Sequence, residues 1–69
     1  MKSGPRPART IEISIDGEVY RGQYVGRAGV VTVSYAGHRK SAHVGQSSAS
    51  EIATVLLHQL VADWLAALV

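Results

Sequence analysis

The sequence predicts an α+β domain: a four-stranded antiparallel β-meander with one C-terminal helix packed on one face. Three observations support this fold class. Isoleucine alternates with polar residues over residues 11–15, apolar residues continue on the same face of the next two predicted strands, and residues 49–68 are apolar at helical spacing. Alternation with period two is typical of strands that bury one face, whereas recurrence every three to four residues indicates a helix.

The first hairpin is predicted by Asp16-Gly17, a residue pair that favours a two-residue turn between strands. A turn of this length sets the register of the two strands, so that Ile11 faces Gly22. Because Gly22 has no side chain, it would let a helix approach the sheet closely. The face that carries Ile11 also collects other residues of the first three strands: Ile13, Ile15, Tyr20, Tyr24, Val31, Val33 and Tyr35.

The second turn is predicted at residues 26–29, and the four strands are Thr10–Ile15, Glu18–Val25, Val30–Ala36 and Arg39–Val44. The fourth strand depends on a turn at Ala36-Gly37, whose length decides which of its residues face the helix. If this turn has two residues, Lys40 lies on the helix side at the edge of the sheet. A charged residue in that place discourages pairing with another chain.

The helix is predicted to run from Ala49 to about Leu68, and Ser48 with Glu51 fits a capping box at its start. Its apolar stripe is wider than one contact with a sheet needs. We therefore expect one row of residues to lie on the sheet: Ile52, Leu56, Leu60 and Trp64. A second row is expected to form an exposed flank, called here the helix shoulder: Leu57, Val61, Leu65 and Leu68.

The chain has 69 residues and no cysteine, so it can form one domain at most and disulfides cannot reinforce its small core. Residues 1–9 contain three basic side chains and are predicted to be a flexible basic tail, followed by a single domain at residues 10–69. A chain of this size must therefore gain its stability from ideal packing or from self-association. No secretory signal is recognisable, and a cytoplasmic location is expected.

The helix shoulder suggests a non-enzymatic interaction module. Its four residues, with Trp64 at their boundary, are the predicted partner-binding surface for a second copy or for another protein. The alternative is that a small protein covers its core with an apolar helix, in which case both rows belong to the core. A membrane role is not expected, because surface helices usually carry Lys or Arg on the polar face and residues 49–69 contain neither.

A nucleic-acid-binding domain is the alternative functional prediction. It would use the tail and the outer face of the sheet, through Lys2, Arg6, Arg9, Arg21, Arg39 and Lys40. The net charge is +2, but residues 10–69 contain four basic and five acidic residues, so the excess positive charge belongs to the tail. The order of the elements resembles that of DNA-binding domains built as a small antiparallel sheet followed by one helix, such as the arm domains of some integrases. This resemblance implies that a face of the sheet would contact DNA.

Catalysis and metal binding have little support in the sequence. Residues 45–49 begin like the nucleophile elbow of hydrolases, but the second glycine of that motif is missing and helix capping accounts for the serines. His38, His43 and His58 lack the spacing of a metal site. No catalytic residue, metal, cofactor or small-molecule substrate is therefore expected.

Overall fold

The computed structural model describes residues 8–68, which form four β-strands followed by one α-helix. The elements are β1 (Arg9–Ile15), β2 (Glu18–Arg27), β3 (Val30–Tyr35), β4 (His38–His43) and α1 (Ala49–Ala67). The strands pair antiparallel in the order β1-β2-β3-β4, and α1 contacts all four, β3 most extensively. The predicted α+β class, the meander and the position of the helix are confirmed.

All three hairpins have two-residue turns of the same kind. The turn residues are Asp16-Gly17, Ala28-Gly29 and Ala36-Gly37, and their φ angles are all positive, between 50° and 84°. Positive φ at both positions is the geometry of type I′ turns, whose twist matches that of the flanking strands. Because each turn has two residues, side chains that lie opposite each other on neighbouring strands point to the same face of the sheet.

The second turn is shorter than the sequence predicts. The expected turn at residues 26–29 is wrong, because Gly26 pairs with Val31 and Arg27 pairs with Val30. β2 therefore continues two residues beyond Val25, and only Ala28-Gly29 remains in the turn. This extension makes Arg27 the last residue of β2, with its exposed side chain on the face of the sheet away from α1.

Both ends of the meander differ slightly from the predicted bounds. β1 begins at Arg9, which pairs with Tyr24 and so belongs to the sheet rather than to the predicted tail. β4 begins and ends one residue earlier than predicted, and the two-residue turn before it at Ala36-Gly37 is confirmed. Lys40 consequently pairs with Val33 on the helix side, where its side chain is half-buried.

The core lies between the sheet and one side of α1. Its buried residues are Ile13, Val31, Val33, Ala53, Leu56, Leu57, Leu60 and Val61. Four of them have large side chains with no exposed surface: Val31, Val33, Leu57 and Val61. Complete burial of one such side chain contributes about 1.5–3 kcal/mol.

Gly22 sets how closely α1 approaches the sheet. It pairs with Ile11 as the register predicts, and it lies beneath Leu57. A methyl group at position 22 would lie 2.8 Å from Leu57 Cδ1 and 2.9 Å from the Ser34 carbonyl oxygen. Leu57 therefore occupies the volume that any other residue at position 22 would need.

Gly22→Ala is expected to lower the free energy of unfolding by about 1–2 kcal/mol, because crowding against the Ser34 carbonyl outweighs the reduced entropy of the unfolded chain. Gly26→Ala is the matched control, since its new methyl group would lie 3.7 Å from Ala49 Cβ, an ordinary contact. Urea denaturation of both variants measures the effect. Equal stability of Gly22→Ala and the wild type would contradict the close approach.

Candidate interaction surfaces

The helix shoulder is only partly accessible. Leu57 and Val61 have no exposed surface, so the prediction that they lie outside the core is wrong. The reason is the close approach at Gly22, which lets α1 lie low enough for both of its apolar rows to be buried. Leu65 is half-buried and Leu68 is 64% exposed. What remains of the shoulder for a partner is its last turn.

Aromatic side chains link the end of α1 to the sheet. The Trp64 and Tyr35 rings meet edge to face, with centroids 5.5 Å apart and an interplanar angle of 87°. Tyr35 makes a second edge-to-face contact with Tyr20, at 6.4 Å. Such pairs contribute about 0.5–1.5 kcal/mol beyond the area they bury. Trp64, expected at the boundary of the partner surface, is thus half-buried by contacts within the chain.

The two flanks of α1 face opposite edges of the sheet. One flank borders β4, because Leu60, Asp63, Trp64 and Ala67 line a cavity of about 210 Å³ together with His38 and Arg39. At 100° per residue, Val61 and Leu65 lie on the other flank. That flank faces β1, where Ile11 and Ile15 are half-buried on the helix side. We call the outer edge of β1 together with Ile11, Ile15 and Leu65 the β1 side.

The two edge strands differ in their protection against further pairing. β4 carries Lys40 in its middle on the helix side, where a charged side chain obstructs an added strand. β1 carries Ile13 at the corresponding place, and its register with β2 is continuous from Arg9 to Ile15 without a bulge. β1 also contains no proline or lysine, and its one helix-side charge, Arg9, lies at its first residue rather than in its middle. It is therefore the less protected edge of the sheet.

The outer face of the sheet, away from α1, carries most of the positive charge of the described residues. By strand alternation it holds Arg21, Arg27 and Arg39 and the single carboxylate of Glu12. The remaining charged residues among 8–68 are predominantly acidic: Arg9, Lys40, Asp16, Glu18, Glu51 and Asp63. The two sides of the domain thus have opposite net charge.

The predicted nucleic-acid-binding residues do not form one surface. Arg21 and Arg39 lie on the outer face, whereas Arg9 and Lys40 lie on the helix side. Lys2 and Arg6 lie outside the described residues. Arg27 shares the outer face with Arg21 and Arg39. The sequence does not predict this position because it favours a turn at residues 26–29; the spacing between Val25 and Ala28-Gly29 is the signal that could have assigned Arg27 to the strand.

One ion pair on the outer face is solvent-exposed. Arg21 Nε donates to Glu12 Oε2 at 2.8 Å, and the two side chains are 66% and 51% exposed. An exposed pair of this kind contributes about 0–1 kcal/mol. On the same face, Thr32 of β3 and Ser41 of β4 form a hydrogen bond of 2.7 Å between their hydroxyl groups. The face therefore combines cationic groups with short polar side chains.

Ser48 caps α1, as predicted. Ser48 Oγ accepts from the Glu51 backbone N–H, and Glu51 Oε1 accepts from the Ser48 backbone N–H, each at 3.2 Å. This reciprocal pair satisfies donors that a bound anion would otherwise use. Within residues 8–68, no group of three His, Cys, Asp or Glu side chains could hold a metal ion.

Ser48→Ala is expected to lower the free energy of unfolding by about 1 kcal/mol, because it removes the acceptor for the Glu51 N–H. Ser47→Ala serves as the control, since Ser47 precedes the cap and its backbone N–H donates to the Val44 carbonyl at 3.1 Å. Thermal and urea denaturation would measure both. A loss of similar size in the two variants would contradict a specific capping role.

Two further findings bear on function. Among the described residues, no helix has the length and apolar character needed to cross a membrane. Comparison with known proteins found no matching family model, curated protein or solved structure. Function must therefore be argued from the edges, faces and charges of this fold.

Proposed function

We propose that the chain is a small non-enzymatic interaction module that self-associates through the β1 side. The observation that carries this proposal is the outer edge of β1, which pairs with no strand among the described residues. Such an edge presents free backbone N–H and C=O groups that can bind another strand. Association would also remove more of the apolar surface of the half-buried Ile11 and Ile15 from water. Each Å² of apolar surface buried in this way contributes about 25 cal/mol.

The charge of the domain is compatible with a second copy as the partner. Residues 8–68 contain five basic and five acidic residues, so two such domains do not repel each other by net charge. The β1 edge itself carries one acidic side chain, Glu12, which is already paired with Arg21. A 69-residue chain without cysteine also belongs to the size class in which association reinforces a small core.

We also propose that this module is located in the cytoplasm.

Ile15→Lys is expected to convert the associated form to monomer. It puts on the helix side of β1 the kind of charge that β4 has at Lys40, and the long side chain can reach water without unfolding the domain. Val19→Lys is the matched control, because Val19 is 61% exposed on β2 and faces away from α1. Light scattering coupled to size exclusion gives the mass, and circular dichroism reports the fold.

Two results would contradict the proposal. The first is a wild-type chain that stays monomeric at millimolar concentration. The second is an Ile15→Lys variant that associates as strongly as the wild type while Val19→Lys behaves normally. Loss of association in both variants would assign the effect to charge in general rather than to the β1 side.

A second candidate function is nucleic-acid binding by the outer face, favoured by its concentration of arginines. From their register positions, Arg27 and Arg39 lie two strands and four residues apart, a separation of about 16 Å. This is wider than the ~12 Å major groove of B-DNA, so the two guanidinium groups could reach phosphates on opposite sides of it. Thr32 and Ser41 lie between them and offer hydroxyl groups to base edges.

The double variant Arg27→Gln/Arg39→Gln tests this second candidate. It is expected to weaken duplex DNA binding and to reduce the slope of log K against log salt by roughly 2, because two phosphate contacts are lost. Arg9→Gln/Lys40→Gln removes the same charge from the helix side and should leave the slope unchanged. Fluorescence anisotropy at several salt concentrations provides the data. No binding at low salt, or equal losses in both double variants, would contradict it.

A further inference from the structure

We infer that two copies join antiparallel along their β1 strands, about a twofold axis at Ile13, so that their four-stranded sheets become one continuous sheet. This inference rests on the proposed self-association and specifies how the two copies meet. It follows from three features of β1: the direction of its free backbone groups, the position of its isoleucines and the position of its single acidic side chain.

The type I′ turn determines which backbone groups of β1 are free. In such a turn the Ile15 carbonyl accepts from the Glu18 N–H, so these two residues form a hydrogen-bonded pair. Hydrogen-bonded and non-hydrogen-bonded pairs alternate along an antiparallel ladder. Thr10, Glu12 and Ser14 therefore direct their N–H and C=O groups away from β2, toward the open edge.

An axis at Ile13 satisfies these groups and aligns the apolar side chains. Ile13 then faces Ile13 of the second copy, and Ile11 faces Ile15, so all three isoleucines of β1 pair on the helix side. Glu12 faces Ser14 across the interface in both halves. Glu12 and Ser14 both have outward backbone groups, and the two symmetric pairs form four backbone hydrogen bonds.

The neighbouring registers are less favourable. An axis at Glu12 sets two Glu12 carboxylates directly opposite each other, and an axis at Ser14 sets Glu12 opposite Asp16; both arrangements are destabilising. An axis at Ile11 places Arg9 opposite Ile13 and leaves Ile15 without an apolar partner. A register shifted by a single residue would set the isoleucines of one copy opposite outer-face residues of the other copy. Charge and apolar pairing thus select the Ile13-centred register.

The opposite edge of the sheet lacks this complementarity. The helix-side residues of β4 are His38, Lys40 and Ala42, so twofold pairing there offers no row of apolar contacts. Pairing of β1 with β4 of another copy is head to tail, so it lacks twofold symmetry and leads to a ring or an open chain of subunits rather than to a dimer. Of the two edge strands among the described residues, β1 is the one whose sequence matches itself under twofold symmetry.

Disulfide crosslinking in the full chain tests the register, and the absence of native cysteine makes single-cysteine variants unambiguous. Glu12→Cys and Ser14→Cys both introduce thiols on the exposed outer face. In the Ile13-centred register these two positions lie opposite each other at a Cα separation of about 5.5 Å, within disulfide range, whereas 12 to 12 is a diagonal of about 7–8 Å. Ser41→Cys on β4 is the control for the other edge.

An equal mixture of Glu12→Cys and Ser14→Cys chains, oxidised under native conditions, is expected to yield mostly the 12–14 heterodimer. Random pairing would give that product as half of the total. Preferential 12–12 product would overturn the Ile13 axis, and faster crosslinking of Ser41→Cys would move the interface to β4. A product ratio at the random level, with a dimeric mass for the wild type, would refute the register while leaving self-association intact. A monomeric wild type would refute both.

Discussion

The contact between Leu57 and Gly22 decides what the rest of this small domain can bury and what it leaves exposed. Because position 22 has no side chain, α1 lies close enough to the sheet for Leu57 and Val61 to be completely buried. Both apolar rows of the helix are therefore largely buried against the sheet. On the helix side, the apolar surface available to a partner is reduced to the ends and edges of the structure.

The edges then become the distinguishing feature of the fold. An open four-stranded sheet has two edge strands, and in this domain they are chemically unequal. Lys40 places a charge in the middle of the helix side of β4, whereas β1 presents three isoleucines there and carries its one helix-side charge, Arg9, at its first residue. Since strand addition needs both free backbone groups and compatible side chains, this inequality directs association to one edge. The arginines of the outer face lie away from that edge pairing and stay available to a separate ligand.

Local patterns allowed much of the fold to be predicted. Asp16-Gly17 determines its own turn type, so the register of β1 with β2, including Ile11 opposite Gly22, follows from residues close in sequence. The capping box at Ser48 is equally local. The burial of Val61 could not be predicted in this way, because it depends on how low the helix lies on the sheet. That height results from a contact between residues distant in sequence.

The candidate surfaces were harder to predict for a related reason. Assigning Arg27 to the outer face requires knowing that the second turn has two residues, and Ala28 is an unusual residue at a position with φ of 54°. The basic residues predicted to act together are separated by strand alternation, which sends Arg9 and Arg21 to opposite faces. Composition reports how many charges a chain has, whereas the pleat of the sheet decides which of them can act together.

The order of the elements along the chain also has a consequence for folding. Each strand pairs with its neighbour in sequence, so the sheet can form hairpin by hairpin with low contact order. The helix is the last element, and its residues are the last of the domain to leave the ribosome. Until α1 docks, the sheet exposes its whole apolar side to other chains. Docking of the helix is therefore the step at which a nascent chain passes from an aggregation-prone sheet to a protected domain.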